Sequence, residues 1–225
     1  MTTATTRLRL DVWADVVCPW CYVGGARLAA AIDAAGLAGA VELVPRAFEL
    51  DPTTPTTPQP VLEHLTRKLG GLLAGSSAMA GQVRGMEEHV RDLATAEGLP
   101  YEVDRVTANT REAHRVTALA TSHGLGMAYF DALQRAYFAG GSADPFGRAA
   151  LLAVADEVGL PAAEVERVLD GDDFADTVAR DQAEAAAIGI RGVPFVVVDG
   201  RYGLSGAQEP EAYRELLATA RAGNE

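Results

Sequence analysis

A chain of 225 residues with a formal net charge of −12 is long enough to bury a substantial core. Its charge repels polyanions, which excludes nucleic acid and anionic membrane surfaces as partners. Hydrophobic residues make up 48% of the chain but aromatics only 6%, and its alanine-rich stretches predict much helix.

In chain order, residues 1–9 are Thr-rich and polar, without the apolar segment of a secretory signal. No later run is long enough to span a bilayer, so the expectation is a cytoplasmic protein with no membrane partner. Leu8, Leu10 and Val12 alternate with Arg9, Asp11 and Trp13, the period of a strand, which runs into Cys18-Pro19-Trp20-Cys21. A helix over residues 19–35 follows, closed by Gly36, and residues 41–48 predict a second strand. Four prolines and four threonines make residues 51–60 a stiff connector. Beyond it the pattern predicts helices over 61–72, 78–97, 110–123, 127–138, 145–158, 161–169 and 173–187. Asn109 with Glu112 suggests a capping box, Asp144-Pro145 an N-cap and first-turn pair, and Gly98, Gly124 and Gly159 helix ends. A strand returns at 194–198, Asp199-Gly200 turns the chain, 201–204 runs back, and 210–222 forms a last helix. Strand, helix and strand imply a parallel βαβ unit, to which the closing hairpin adds antiparallel strands.

The chain has two cysteines, and both lie in the CxxC. Thiols three positions apart suit a pair that closes an intramolecular disulfide and releases a partner, whereas in a reducing compartment a structural disulfide is uncommon. The competing reading is half of a zinc site. His64, His89, His114 and His123 lack the close pairing that the other half needs, so no metal is expected. The attacking group must be a thiolate. Cys18 stands where the helix begins and Pro19 suits its first position, so the free amides and positive end of the helix favour charge on Cys18. Cys21, one turn further in, is the resolving thiol.

Cys18-Pro19-Trp20-Cys21, preceded by Asp15-Val16-Val17, resembles the DsbA superfamily, and in particular its FrnE-like branch. Gly192-Val193-Pro194-Phe195 resembles the cis-proline loop of that family. Asn109-Thr110 with Ala113-His114-Arg115, and Leu204-Ser205-Gly206-Ala207-Gln208, resemble the same branch. The resemblance implies an α/β thioredoxin-like fold with a large all-helical insertion. Residues 1–58 and 186–225 would form the discontinuous thioredoxin-like domain, and 59–185 the insertion. It also implies a cis bond at Val193-Pro194, with the Val193 backbone turned toward the dithiol to meet an extended peptide.

The function implied is thiol–disulfide exchange on a protein or small-molecule substrate, without a cofactor, by a monomer or homodimer. A second reading is a glutathione-dependent isomerase or transferase, like the related 2-hydroxychromene-2-carboxylate isomerases and kappa-class glutathione transferases. Those relatives typically carry serine for one or both cysteines, but their Asn-Thr motif keeps glutathione a candidate thiol co-substrate. A third is a non-catalytic peptide-binding or chaperone-like module. Beyond the cysteines, the active-site loop candidates are Pro19, Trp20, Val193 and Pro194. Asp15 is a candidate proton carrier for Cys21, against the plainer reading of a solvated strand-end aspartate. His114 is a candidate to face the dithiol, against an ordinary helix histidine, and Asn109 a candidate glutathione contact. Gly24 and Gly25 weaken the first helix, either to admit a neighbouring loop or without consequence.

Overall fold

The computed structural model describes residues 7–70 and 76–223. The first part of the chain gives β1 (Leu8–Ala14), α1 (Pro19–Ala34), β2 (Val41–Ala47) and the short β3 (Gln59–Pro60). Helices α2 (Val61–Gly70) and α3 (Ser77–Ala96) follow, then β4 (Val106–Thr107), α4 (Arg111–Ser122) and α5 (Gly126–Ala139). The rest comprises α6 (Arg148–Glu157), α7 (Ala162–Asp170), α8 (Ala175–Ala187), β5 (Phe195–Val198), β6 (Tyr202–Ser205) and α9 (Pro210–Ala222).

The main sheet runs β2-β1-β5-β6. β1 pairs in parallel with β2 through α1, and β5 and β6 close it as an antiparallel hairpin, as the element order predicts. The period-2 pattern explains why β1 is central. Leu8, Leu10 and Val12 pack against Leu28, Ala31 and Ile32 of α1 and Tyr213, Leu217 and Ala220 of α9. Trp13 faces the other way, where its indole donates to the Asp181 carbonyl of α8 at 3.0 Å. Asp181 also accepts from Arg46 at 2.8 Å and from the Ala47 amide at 3.1 Å, so a buried carboxylate latches α8 to β2.

A second cluster centres on the cysteines. Ala14, Val16, Cys18, Cys21 and Tyr22 pack directly into Tyr129, Phe130, Leu133 and Phe138 of α5, and on to Leu151, Val165 and Val168. The helical segment therefore encloses the end of β1 and the start of α1.

Several local expectations change. The two-stranded ribbon β3–β4 was not anticipated; it ties the proline connector to the chain before α4. Asp144 does not cap α6, which begins at Arg148 with Gly147 as its N-cap. The expected capping box at α4 is replaced: Asn109 Oδ1 accepts from the Arg111 amide at 2.9 Å, and Glu112 pairs with Arg115 at 2.7 Å. The expected end of the first inserted helix, near Leu72, lies outside the described residues. Gly98, Gly124 and Gly159 do follow helix ends with positive φ.

Candidate active site

Cys18 is the N-cap of α1 and Pro19 occupies its first turn, where the missing N–H has no helical partner to lose. The amides of Cys21 and Tyr22 donate to the Cys18 carbonyl at 3.1 and 3.2 Å, so the first turn fixes the spacing of the two thiols. Both cysteines are free and buried at the residue level, but they look into different spaces. Cys18 lines an open groove of about 290 Å³ with Pro19, Trp20, Gly192 and Val193. Cys21 faces inward, among Val12, Gly24, Gln134, Pro194 and Tyr213. Burial, with the neighbouring Cys18 sulfur, pushes the Cys21 thiol well above its ordinary value of 9.0.

The Val193-Pro194 bond is cis. The Val193 carbonyl lies 3.6 Å from Cys18 Sγ and can accept from the thiol. The segment resembling the family at Leu204 to Gln208 braces this loop: the Gly206 amide donates to the Pro194 carbonyl at 2.8 Å, and the Tyr213 hydroxyl to the Gly206 carbonyl at 3.1 Å. Gly206 has φ +84°, a conformation that glycine adopts freely. A Cβ on Gly24 would approach Pro194 Cγ at 3.1 Å, whereas one on Gly25 meets nothing within 4 Å. Of the two readings for these glycines, close approach holds for Gly24 and mere tolerance for Gly25.

Asp15 corrects the solvated reading: it is 1% exposed. Its Oδ2 accepts from the Leu50 amide at 2.8 Å, and its Oδ1 lies 3.2 Å from Nε2 of His114, itself 3% exposed. His114 thus faces the carboxylate beside the dithiol, and no contact of His114 with either sulfur is seen among the described residues. Asn109 is used locally. Its amide group donates to the Pro52 carbonyl at 3.2 Å and its oxygen accepts from Arg111, so the side chain anchors the connector. Trp20 is 42% exposed on the groove wall.

Sequence reasoning missed most of that wall. Leu50, Leu69 and Met86 border the groove, and Glu87, Arg105 and Tyr137 are buried along it. Leu69 continues the stripe of Leu62 and Leu65, and Met86 that of Met79, Val83 and Val90, so at helical spacing both read as ordinary core-facing residues. Among the described residues, no three His, Cys, Asp or Glu side chains are placed to hold a metal ion, and no helix is long and apolar enough to cross a membrane.

The sequence matches the DSBA-like thioredoxin domain family over residues 9–218. The chain belongs to that family. It is similar to a probable DsbA oxidoreductase from Streptomyces coelicolor, at 39% identity and TM-score 0.87, over 97% of this chain and 91% of that one. The fold also matches a 2-hydroxychromene-2-carboxylate isomerase at 14% identity and TM-score 0.70, covering 96% of this chain and 97% of that one. The cytosolic disulfide reductase DsbM from Pseudomonas aeruginosa matches at 23% and 0.62, covering 94% and 97%. No curated protein sequence matches the chain. The family agrees with the resemblance seen in the CPWC and Val-Pro motifs, and the thioredoxin-like α/β fold carries the expected helical insertion.

Proposed function

We propose that this DsbA-family protein is a thiol–disulfide oxidoreductase in which Cys18 attacks and Cys21 resolves. The carrying observation is the asymmetry of the pair: Cys18 caps the helix on an open groove against the Val193 carbonyl, and Cys21 is enclosed behind it. In the reducing direction the Cys18 thiolate attacks one sulfur of the substrate disulfide, forms a mixed disulfide and expels the other sulfur as a thiolate. Cys21 then loses its proton, attacks the Cys18 sulfur and releases the second substrate thiol. The enzyme ends as the Cys18–Cys21 disulfide and the substrate has gained two electrons. A small thiol such as glutathione, two equivalents per turnover, returns the pair to the dithiol. The same steps in reverse oxidise a substrate dithiol.

Cys21 has a raised thiol value, so its attack needs a base. Asp15, a carboxylate buried three residues before Cys18, takes that proton, and His114 holds the carboxylate in place through the 3.2 Å contact. The glutathione-dependent isomerase reading gains nothing from Asn109, because both ends of its side chain are engaged. The peptide-binding reading predicts capture without turnover.

Reduction of insulin by wild type and by Cys18→Ser tests the proposal. Turnover is expected to vanish in the variant, and turnover that survives would overturn it. The reduction potential of the couple then assigns direction: a value near about −270 mV fits a reductant, and one near about −120 mV an oxidant.

A further inference from the structure

Among the described residues the large exposed hydrophobics are Trp20, Leu50, Leu69, Met86 and Ile188, and all but Ile188 border the Cys18 groove. Apolar surface gathered at one opening marks a binding site. Two residues of the same lining, Arg105 and Tyr137, each hold a buried polar atom without a partner among the described residues. The Arg105 guanidinium is sandwiched by aromatic rings, 4.7 Å from Tyr101, 5.0 Å from Tyr137 and 4.7 Å from Phe138. Its Nη1 donates to Glu87 and to the Glu102 carbonyl, both at 2.8 Å. Its Nε and the Tyr137 hydroxyl are buried without a partner among the described residues. Buried donors normally have acceptors, and an unpaired one has a reason.

Resting on the disulfide-exchange reading, we propose that the groove is a subsite for a low-molecular-weight apolar disulfide bearing a neutral carbonyl oxygen, which Arg105 Nε and the Tyr137 hydroxyl receive. Size argues for a small ligand: about 290 Å³ lies at the lower end of small-molecule pockets, whereas a folded partner needs a broad face. Charge argues for a neutral oxygen. Asp15, Asp51 and Glu87 line the groove against Lys68 and Arg105, and burial, with Lys68 and Arg67 nearby, lowers His64 below its ordinary value. A carboxylate would meet a net negative lining.

The test compares bis(4-acetylphenyl) disulfide with bis(4-ethylphenyl) disulfide in wild type and Tyr137→Phe. The variant keeps the ring stack and deletes only an unpaired hydroxyl, so it is expected to fold with an undiminished melting temperature. It should lower the acetyl-over-ethyl ratio of kcat/KM about tenfold, the worth of one hydrogen bond, and intrinsic reactivity cancels when that ratio is compared between wild type and variant. An unchanged ratio, or a higher kcat/KM for insulin than for the acetyl disulfide, would overturn the proposal. Calorimetric binding of 4-ethylacetophenone to Cys18→Ser isolates the subsite from the chemistry. Binding that weakens about tenfold on adding Tyr137→Phe supports the subsite even if wild type turns over no disulfide. No binding there overturns the subsite while leaving disulfide exchange standing.

Discussion

Cys18 and Cys21 lie on one helical turn, yet their surroundings share little. In front of Cys18 the groove is open and walled by Trp20, Leu50, Leu69 and Met86, with the Val193 carbonyl 3.6 Å from the sulfur. Behind Cys21 the space is closed, braced by Gly24, Pro194 and Tyr213, while Asp15, with His114 against it, is buried on the Cys18 side. On the proposed reading, one turn of helix separates the thiol that meets a substrate from the one that meets only its neighbour. Division of labour in a dithiol comes from what the fold stacks on each sulfur, since the residues themselves are identical.

The largest expected effect probes the front against the back. Cys18→Ser should lose all disulfide exchange, whereas Cys21→Ala should still capture one equivalent of substrate as a stable mixed disulfide, seen by intact mass. Equal capture by both variants would erase the distinction. Next comes the buried carboxylate. Asp15→Asn keeps the shape but removes the proposed base, and should prolong the mixed disulfide about 100-fold while leaving capture by Cys18 fast. His114→Gln should have a smaller effect of the same kind, measured by quenched-flow trapping.

The close packing behind the pair gives the third prediction. Gly24→Ala should cost about 1–3 kcal/mol in urea denaturation, because the new methyl meets Pro194, Ala207 and Tyr213. The fourth follows from the raised Cys21 thiol. A folded value above the unfolded one means a stability contribution complete below the ordinary value of 9.0 and lost as pH rises through the folded value. Relative to the disulfide form, the dithiol form should therefore lose about 1.4 kcal/mol of stability per pH unit above pH 9. Cys21→Ala, which lacks both the titrating thiol and the disulfide, should show no such loss above pH 9, as read from urea midpoints at successive pH values. The smallest effect is the control for Gly24: Gly25→Ala has open space and should gain about 1 kcal/mol from helix propensity alone.

The sheet, the order of helices and the helix-capping cysteine were legible because each depends on neighbours within a few residues. The period-2 run from Leu8, the Gly36 stop and the Asp199-Gly200 turn are all local. Legibility failed where competing local geometries were close in energy. Asp144-Pro145 looked like a helix start, but the chain turns there and waits for Arg148. Asn109 reads as half of a capping box with Glu112; its oxygen does take the Arg111 amide, but its amide group reaches back to the Pro52 carbonyl and Glu112 turns to Arg115. Burial of Asp15 was unreadable, because an aspartate at a strand end is ordinarily solvated.

By itself, then, the chain's sequence determined the elements, the family resemblance and which two thiols are the candidates, since these rest on short-range pattern and on which residues are present. Only tertiary structure decided the rest. It brought Val193 to Cys18 across 175 positions and His114 to Asp15 across 99. It also turned scattered apolar side chains of α1, α2 and α3 into one groove wall. Such contacts depend on closing long loops and on the simultaneous packing of many helices, and no local periodicity encodes that balance.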